Sequence, residues 1–156
     1  MPEYLRKLRA LVGNLPIVVC GASVIVVNKA GEVLLQLRSD NGNWGVPGGV
    51  LDINENTEDA AKRELYEETG ITANSLELLG VFSGEELFYT YPNGHQCSIV
   101  DVCYICRDFT GVPKADLTES VDTQFFDVNS FPVNFMCTCK PALRKYFSDI
   151  GVRGNF

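Results

Sequence analysis

Three glutamates, Glu64, Glu67 and Glu68, crowd into the stretch RELYEETG at positions 63–70. Spacings of three and four put all three on one side of a helix, where each like-charge pair costs about 0.2–0.5 kcal/mol. Other acids of the same segment are better served. Glu58 has Lys62 four residues on, and Asp59 has Arg63, both in the favourable order for ion pairs. Glu64 instead has another glutamate four residues on, and Glu67 has only Arg63 behind it. A solvated acidic face is one use for such a patch. The other is a hard-cation site, because a glycine-rich segment just before the helix brings backbone carbonyls to the same place. Carboxylates joined by carbonyl oxygen suit Mg²⁺ or Mn²⁺ and leave positions open for water and phosphate oxygens.

Regular elements must hold that patch. Residues 3 to 12 predict a short helix with Leu5, Leu8, Leu11 and Val12 on one face and Gly13 as its stop. The apolar, β-branched run 16 to 27 predicts a strand, 28 to 31 a turn, and 32 to 38 a returning strand. The segment 39 to 49 carries four glycines and a proline and reads as loop. A helix over 58–69 follows, with Thr57 as N-cap and Gly70 closing the end. Residues 76 to 82 predict a strand, the segment around the PNG turn at 92–94 two long strands, and 122 to 128 a short one. A last helix spans 140 to 150, with Pro141 in its first turn. Helices and strands interleave without regular βαβ units, which predicts an α/β fold with a mixed sheet packed between helices.

The totals bound the rest. A chain of 156 residues that is 46% hydrophobic suggests one domain with a true core. No run of 18 apolar residues is present, and the N-terminus lacks a signal-peptide core, so the expectation is a cytoplasmic protein with no membrane span. A net charge of −7 argues against general affinity for a nucleic acid polymer. If the ligand is anionic, a bound cation must reverse the local sign. The six cysteines show no clear zinc-finger spacing. Cys103 and Cys106 fall three apart on a strand and so point to opposite faces, Cys137 and Cys139 would share one, and buried free thiols are the expectation throughout.

The residues from Gly49 to Ile71 also resemble a known family signature. GVLDINENTEDAAKRELYEETGI is similar to the box of the Nudix (MutT-like) hydrolases, G-x5-E-x7-R-E-U-x-E-E-x-G-U with U a bulky aliphatic. Gly49, Glu55, Arg63, Glu64, Leu65, Glu67, Glu68, Gly70 and Ile71 fill every specified position, and the preceding WGVPGG is typical of the family. The resemblance implies an α/β/α sandwich with the box as loop–helix–loop, in a single domain over 1–156. It implies hydrolysis of a nucleoside diphosphate linked to another moiety, by water attack at phosphorus with a divalent metal. By position, Glu64, Glu67 and Glu68 would be metal ligands and Gly49 would offer its carbonyl. Glu55 would hold outer-shell waters or pair with Arg63, which would brace the loop on the helix. The general base would be a box glutamate or an acid on a later loop. Asp116, Glu119 and Asp122 are available there, and Glu119, six residues before Phe125, is the favoured one.

The substrate is less legible. Tyr89 stands 18 residues past the box, a spacing that resembles diadenosine-polyphosphate hydrolases, while Glu86 and Leu87 stand where one ADP-ribose group has proline. Phe88, Tyr89 and Tyr91 could stack a base or serve a hairpin core or a homodimer contact. Trp44 could wall a nucleotide pocket or pin the loop. His95, just past the PNG turn, is expected to be exposed and idle. The other class of function is a non-catalytic nucleotide-binding or regulatory Nudix domain. Such proteins usually lose box acids, and this chain keeps them.

Overall fold

The apolar run after the first helix becomes β1 (Ile17–Val26), fully buried from Gly21 onward. That continuous burial follows from its central place in a sheet covered on both faces. The computed structural model describes residues 1–152, and its elements are α1 (Glu3–Val12), β1, β2 (Val33–Arg38), β3 (Trp44–Gly45), β4 (Gly48–Val50), α2 (Thr57–Thr69), β5 (Thr72–Phe82), β6 (Phe88–Thr90), β7 (Gln96–Thr110), β8 (Ser120–Phe126) and α3 (Lys140–Asp149). One mixed sheet runs β4-β1-β7-β5, with β6 also on β7, and a smaller antiparallel sheet runs β3-β2-β8. β1 and β7 are parallel, with Ser23 opposite Cys103, and β4 lies antiparallel to β1, with Gly49 opposite Ala22.

Two hydrophobic clusters fill the two sides of these strands. On one side Ile25, Leu35 and Cys103 pack with Leu143 and Phe147 of α3. On the other, Val24, Leu34 and Cys106 pack with Ala60, Ala61 and Leu65 of α2. This is the expected sheet between helices, and Cys103 and Cys106 face opposite ways as a period of two requires. Not every thiol is buried. Cys20 and Cys137 are exposed, and Cys137–Cys139 form a 3₁₀ turn rather than a strand, so Cys137 and the half-buried Cys139 share no face.

Several boundaries differ from expectation for local reasons. The segment 39–49 holds two short strands, because its backbone can pair with β2 and β1 despite its glycines. Only the second strand around the PNG turn is long; β6 is three residues. In α1 the buried residues are Leu5 and Arg9, whereas Leu8 is 37% and Leu11 86% exposed. Arg9 takes the inner position because its guanidinium donates to the carbonyls of Gly13 (3.1 Å), Leu15 (2.7 Å) and Gln96 (2.6 Å), tying α1 to the end of β7.

The N-cap of α2 is Asn56 rather than Thr57. The Asn56 side chain accepts the Asp59 N–H at 2.9 Å, which leaves the Thr57 hydroxyl to bond the Tyr104 hydroxyl at 2.7 Å. At the other end Gly70 has φ 71°, a left-handed conformation that costs a residue with a Cβ more, and its N–H closes on the Tyr66 carbonyl. Asn56→Ala should therefore lower the unfolding free energy by about 1 kcal/mol in urea titration. An unchanged midpoint would contradict this cap.

Candidate functional site

Helix α2 presents its acids to three different surroundings. Ala60, Ala61, Leu65 and Glu68 form its buried stripe, so Glu68 points inward and is 4% exposed. Its Oε2 accepts from Gln36 Nε2 (2.7 Å) and from the Gly48 N–H (2.8 Å). Burial, with the nearby Glu64 charge, pushes the Glu68 carboxyl up to about 8 against those two hydrogen bonds. Glu64 lies at the edge of the stripe. Burial raises its carboxyl too; Arg63 opposes the rise, while Glu67 and Glu119 add to it. Glu67 stands out in solvent, its side chain 58% exposed.

Arg63 collects the charges that α2 cannot pair along its own length. Its Nε and Nη2 donate to the two oxygens of Glu55 at 2.7 and 2.8 Å, and its Nη1 to Glu64 at 2.7 Å and Glu67 at 3.3 Å. Those bonds hold Arg63 well above the ordinary guanidinium range, the Glu55 bond first, and hold Glu55 below the usual carboxylate range. The expected Asp59–Arg63 pair therefore does not form, and Asp59 meets the Asn56 side chain instead. Glu64 is likewise not without a cation, as wheel spacing suggests, because its neighbour in sequence bends back across it. The expected Glu58–Lys62 pair is present at 2.7 Å.

The glycine before the helix has a steric reason. A Cβ on Gly49 would lie 2.4 Å from Glu64 Cδ, so only glycine lets the β4 backbone and this carboxylate approach. The pair borders a cleft of about 760 Å³ whose walls include Glu64, Glu67, Glu68, Arg63, Gly49 and Glu119. Among the described residues no three His, Cys, Asp or Glu side chains are already gathered as a metal cage. Arg63 Nη1 bridges Glu64 and Glu67, and the Gly48 amide holds Glu68.

Across the cleft, Asp116 organises the turn that carries Glu119. Burial alone would raise the Asp116 carboxyl. Hydrogen bonds from the Thr118 hydroxyl and from the N–H groups of Ser120, Glu119 and Thr118 outweigh it and hold the group well below the usual range. Asp116 is thus committed to its own loop, and Asp122 accepts the neighbouring Thr123 N–H on β8. The Glu119 side chain is 58% exposed, with Oε1 3.6 Å from the Met1 ammonium.

Of the aromatic candidates, Trp44 is buried in the core against Phe126, at 4.8 Å between ring centres, and its backbone bonds Asn134 and Met136. That packing suits pinning the loop. Tyr89 meets Tyr91 edge to face at 4.9 Å and accepts from Asn41 Nδ2 at 2.9 Å. Both tyrosines border a smaller pocket next to the cleft. Phe88 is exposed. His95 is half-buried and borders the main cleft, closer to the site than its place in a turn suggests. Arg9, Arg38 and Asp101, not singled out in the sequence, also border these cavities. A charged residue inside an apolar strand, as in SIVDVCYIC, was the available signal for Asp101.

Residues 19–145 match the NUDIX domain model, and the chain belongs to that family. It is 34% identical over 110 residues to an ADP-ribose pyrophosphatase of Methanocaldococcus jannaschii, covering 69% of this chain and 61% of that one. It is 47% identical over 58 residues to a MutT-like protein of Streptomyces ambofaciens, 37% of this chain and 38% of that one. These alignments thus span less than two thirds of either relative. Among solved structures, the MutT NUDIX hydrolase of Burkholderia pseudomallei superposes with a TM-score of 0.71 at 27% identity, covering 83% of this chain and 98% of that one. The NUDIX domain of Shewanella oneidensis NrtR, complexed with ADP ribose, shares the fold, with a TM-score of 0.67 at 18% identity over 95% and 97% of the two chains. Among the described residues no helix is long and apolar enough to cross a membrane.

The Asp116 turn gives a pH-dependent test. A depressed carboxyl adds stability that is complete above its unfolded value, about 3.9, and is lost as pH falls through the lower folded value. Asp116→Asn should cost about 1 kcal/mol in urea unfolding at pH 7, and the gap from wild type should narrow as pH drops below 4. A pH-independent gap would show that the charge is not what holds the turn.

Proposed function

We infer that this chain is a divalent-metal-dependent pyrophosphohydrolase acting on a nucleoside diphosphate linked to another moiety. The observation that carries the reading is the convergence of Glu64, Glu67, Glu68 and the Gly49 backbone on one cleft, opposite Glu119. The cleft volume of about 760 Å³ suits a nucleotide derivative. The donor set is all oxygen and fits Mg²⁺ or Mn²⁺, with Glu64, Glu67, Glu68 and the Gly49 carbonyl as the groups that would hold the ion. A cation there would neutralise phosphate oxygens and lower the pKa of bound water.

The chain's own residues supply the rest. Glu55 and Arg63 keep the box loop fixed on α2, so the carboxylates keep their spacing. Buried Glu68 holds an oxygen on the Gly48 N–H and so ties the helix to β4, where the diphosphate would lie. Glu119, on a turn fixed by Asp116, would take the proton of the attacking water at its carboxylate. The substrate in this reading is a small molecule in the cytoplasm, not a nucleic acid polymer or a membrane. ADP-ribose, nucleotide sugars, damaged nucleotides and dinucleoside polyphosphates are its candidate forms. The ADP-ribose activity of the Methanocaldococcus relative supports placing ADP-ribose first on a panel.

Turnover on such a panel with Mg²⁺ should fall at least ~100-fold in Glu67→Gln and in Glu68→Gln, because each removes charge stabilisation at the developing phosphate transition state. Undiminished turnover in both would remove the metal-site assignment. Glu119→Gln should slow turnover and leave Mn²⁺ affinity within about twofold of wild type. Unchanged turnover there would move the base elsewhere. Binding of metal and nucleotide with no turnover on any compound would favour the non-catalytic binding domain.

A further inference from the structure

Asp101 is a charged residue in the middle of the apolar strand β7, and neither the carboxylate cleft nor the core uses it. It lies opposite Gly21 across the β1–β7 ladder. Its Oδ2 accepts the Ser23 hydroxyl at 2.7 Å, and among the described residues Oδ1 has no hydrogen-bond partner. Burial pushes the carboxyl up to about 6. Asp101 is half-buried, and its Oδ1 is not among the fully buried polar atoms, so that oxygen is open to a ligand.

The surroundings of Asp101 indicate what that ligand is. It borders a pocket of about 110 Å³ with Ser23, Tyr89, Tyr91, Ile99 and Met136. Its side chains are mostly aromatic and apolar, with Asp101 as the one carboxylate and Arg38 as the one cation. Gly48, Gly49, Val50, Arg38 and Tyr91 border both this pocket and the main cleft, so the two adjoin at β4. A ligand with its diphosphate over Gly49 can reach the smaller pocket with its nucleoside end. A planar, weakly polar ring is the group such walls accept.

We propose that Asp101, held by Ser23, is a specificity-determining residue that selects a nucleobase carrying an exocyclic amino group. The inference deepens the nucleotide reading above and rests on it. Oδ1 is an acceptor without a partner, so it pairs with an amino N–H and repels a keto oxygen at the same edge position. Cytosine and adenine present the amino group where uracil and hypoxanthine present a carbonyl, at nearly equal size. Ser23 fixes the carboxylate rotamer, so the selected edge is a direction as well as a charge.

The test is calorimetric binding of nucleoside monophosphates at pH 7.5 to wild type and to Asp101→Asn, with a thermal melt to show that the variant is folded. Wild type should bind CMP over UMP, and AMP over IMP, by about tenfold. In Asp101→Asn, whose amide can also donate, each ratio should fall below about threefold. Ser23→Ala, which keeps the carboxylate, should give intermediate ratios and serves if Asp101→Asn does not fold. Equal binding within both wild-type pairs, ratios that persist in the variants, or no binding of any monophosphate would overturn the proposal. Turnover that is robust but indifferent to the base would sink this inference and leave the hydrolase reading standing. Base-selective binding without turnover on any diphosphate would do the reverse.

Discussion

One guanidinium carries much of the arrangement. Arg63 spreads its donors over Glu55, Glu64 and Glu67, so the loop before α2 and the acidic face of α2 share a single cation. Each unrelieved like-charge pair on that side would cost about 0.2–0.5 kcal/mol. The bidentate contact to Glu55 also sets the geometry, because a planar fork constrains orientation as a lysine ammonium does not. That contact fixes the box loop on α2, while pairing with β1 places β4 over Glu64.

Glu68 is held by a different means. It sits on the stripe that packs into the core, so no solvent screens it, and the Gly48 amide and Gln36 are its polar partners. Burial raises its carboxyl, and the two hydrogen bonds oppose that rise. Glu64 and Glu67, at the edge and outside, keep Arg63 as partner. The crowd of three is thus three separate electrostatic situations within little more than one turn of helix.

The layered α/β fold and most elements were legible in the sequence, because long periodic segments such as 16–27 and 58–69 carry the packing pattern directly. What was not legible depended on contacts distant in sequence or on backbone pairing. Asn56 displaced Thr57 as the cap because Tyr104, far along the chain, takes the threonine hydroxyl. β3 and β4 formed in a glycine-rich segment because β2 and β1 offered partners, which no local propensity reports. Arg63 left Asp59 because the loop folded back over it. In the site, the wheel separated Glu58 from the box acids but missed that Glu68 faces the core, although Leu65 three residues before it marks that side. Asp101 lay outside the box, and its pocket exists only once β1, β4 and β7 are assembled.

In the proposed function, the carboxylates of α2 would bind a divalent cation beside Arg63 and β4. Titration of the protein with Mn²⁺, followed by loss of the free-ion electron paramagnetic resonance signal at pH 7.5, tests it without any substrate. Saturable binding is expected, weakened at least ~10-fold in Glu64→Gln and competed away by Mg²⁺. Mn²⁺ binding of equal strength in wild type and Glu64→Gln, or no saturable binding at all, would contradict it.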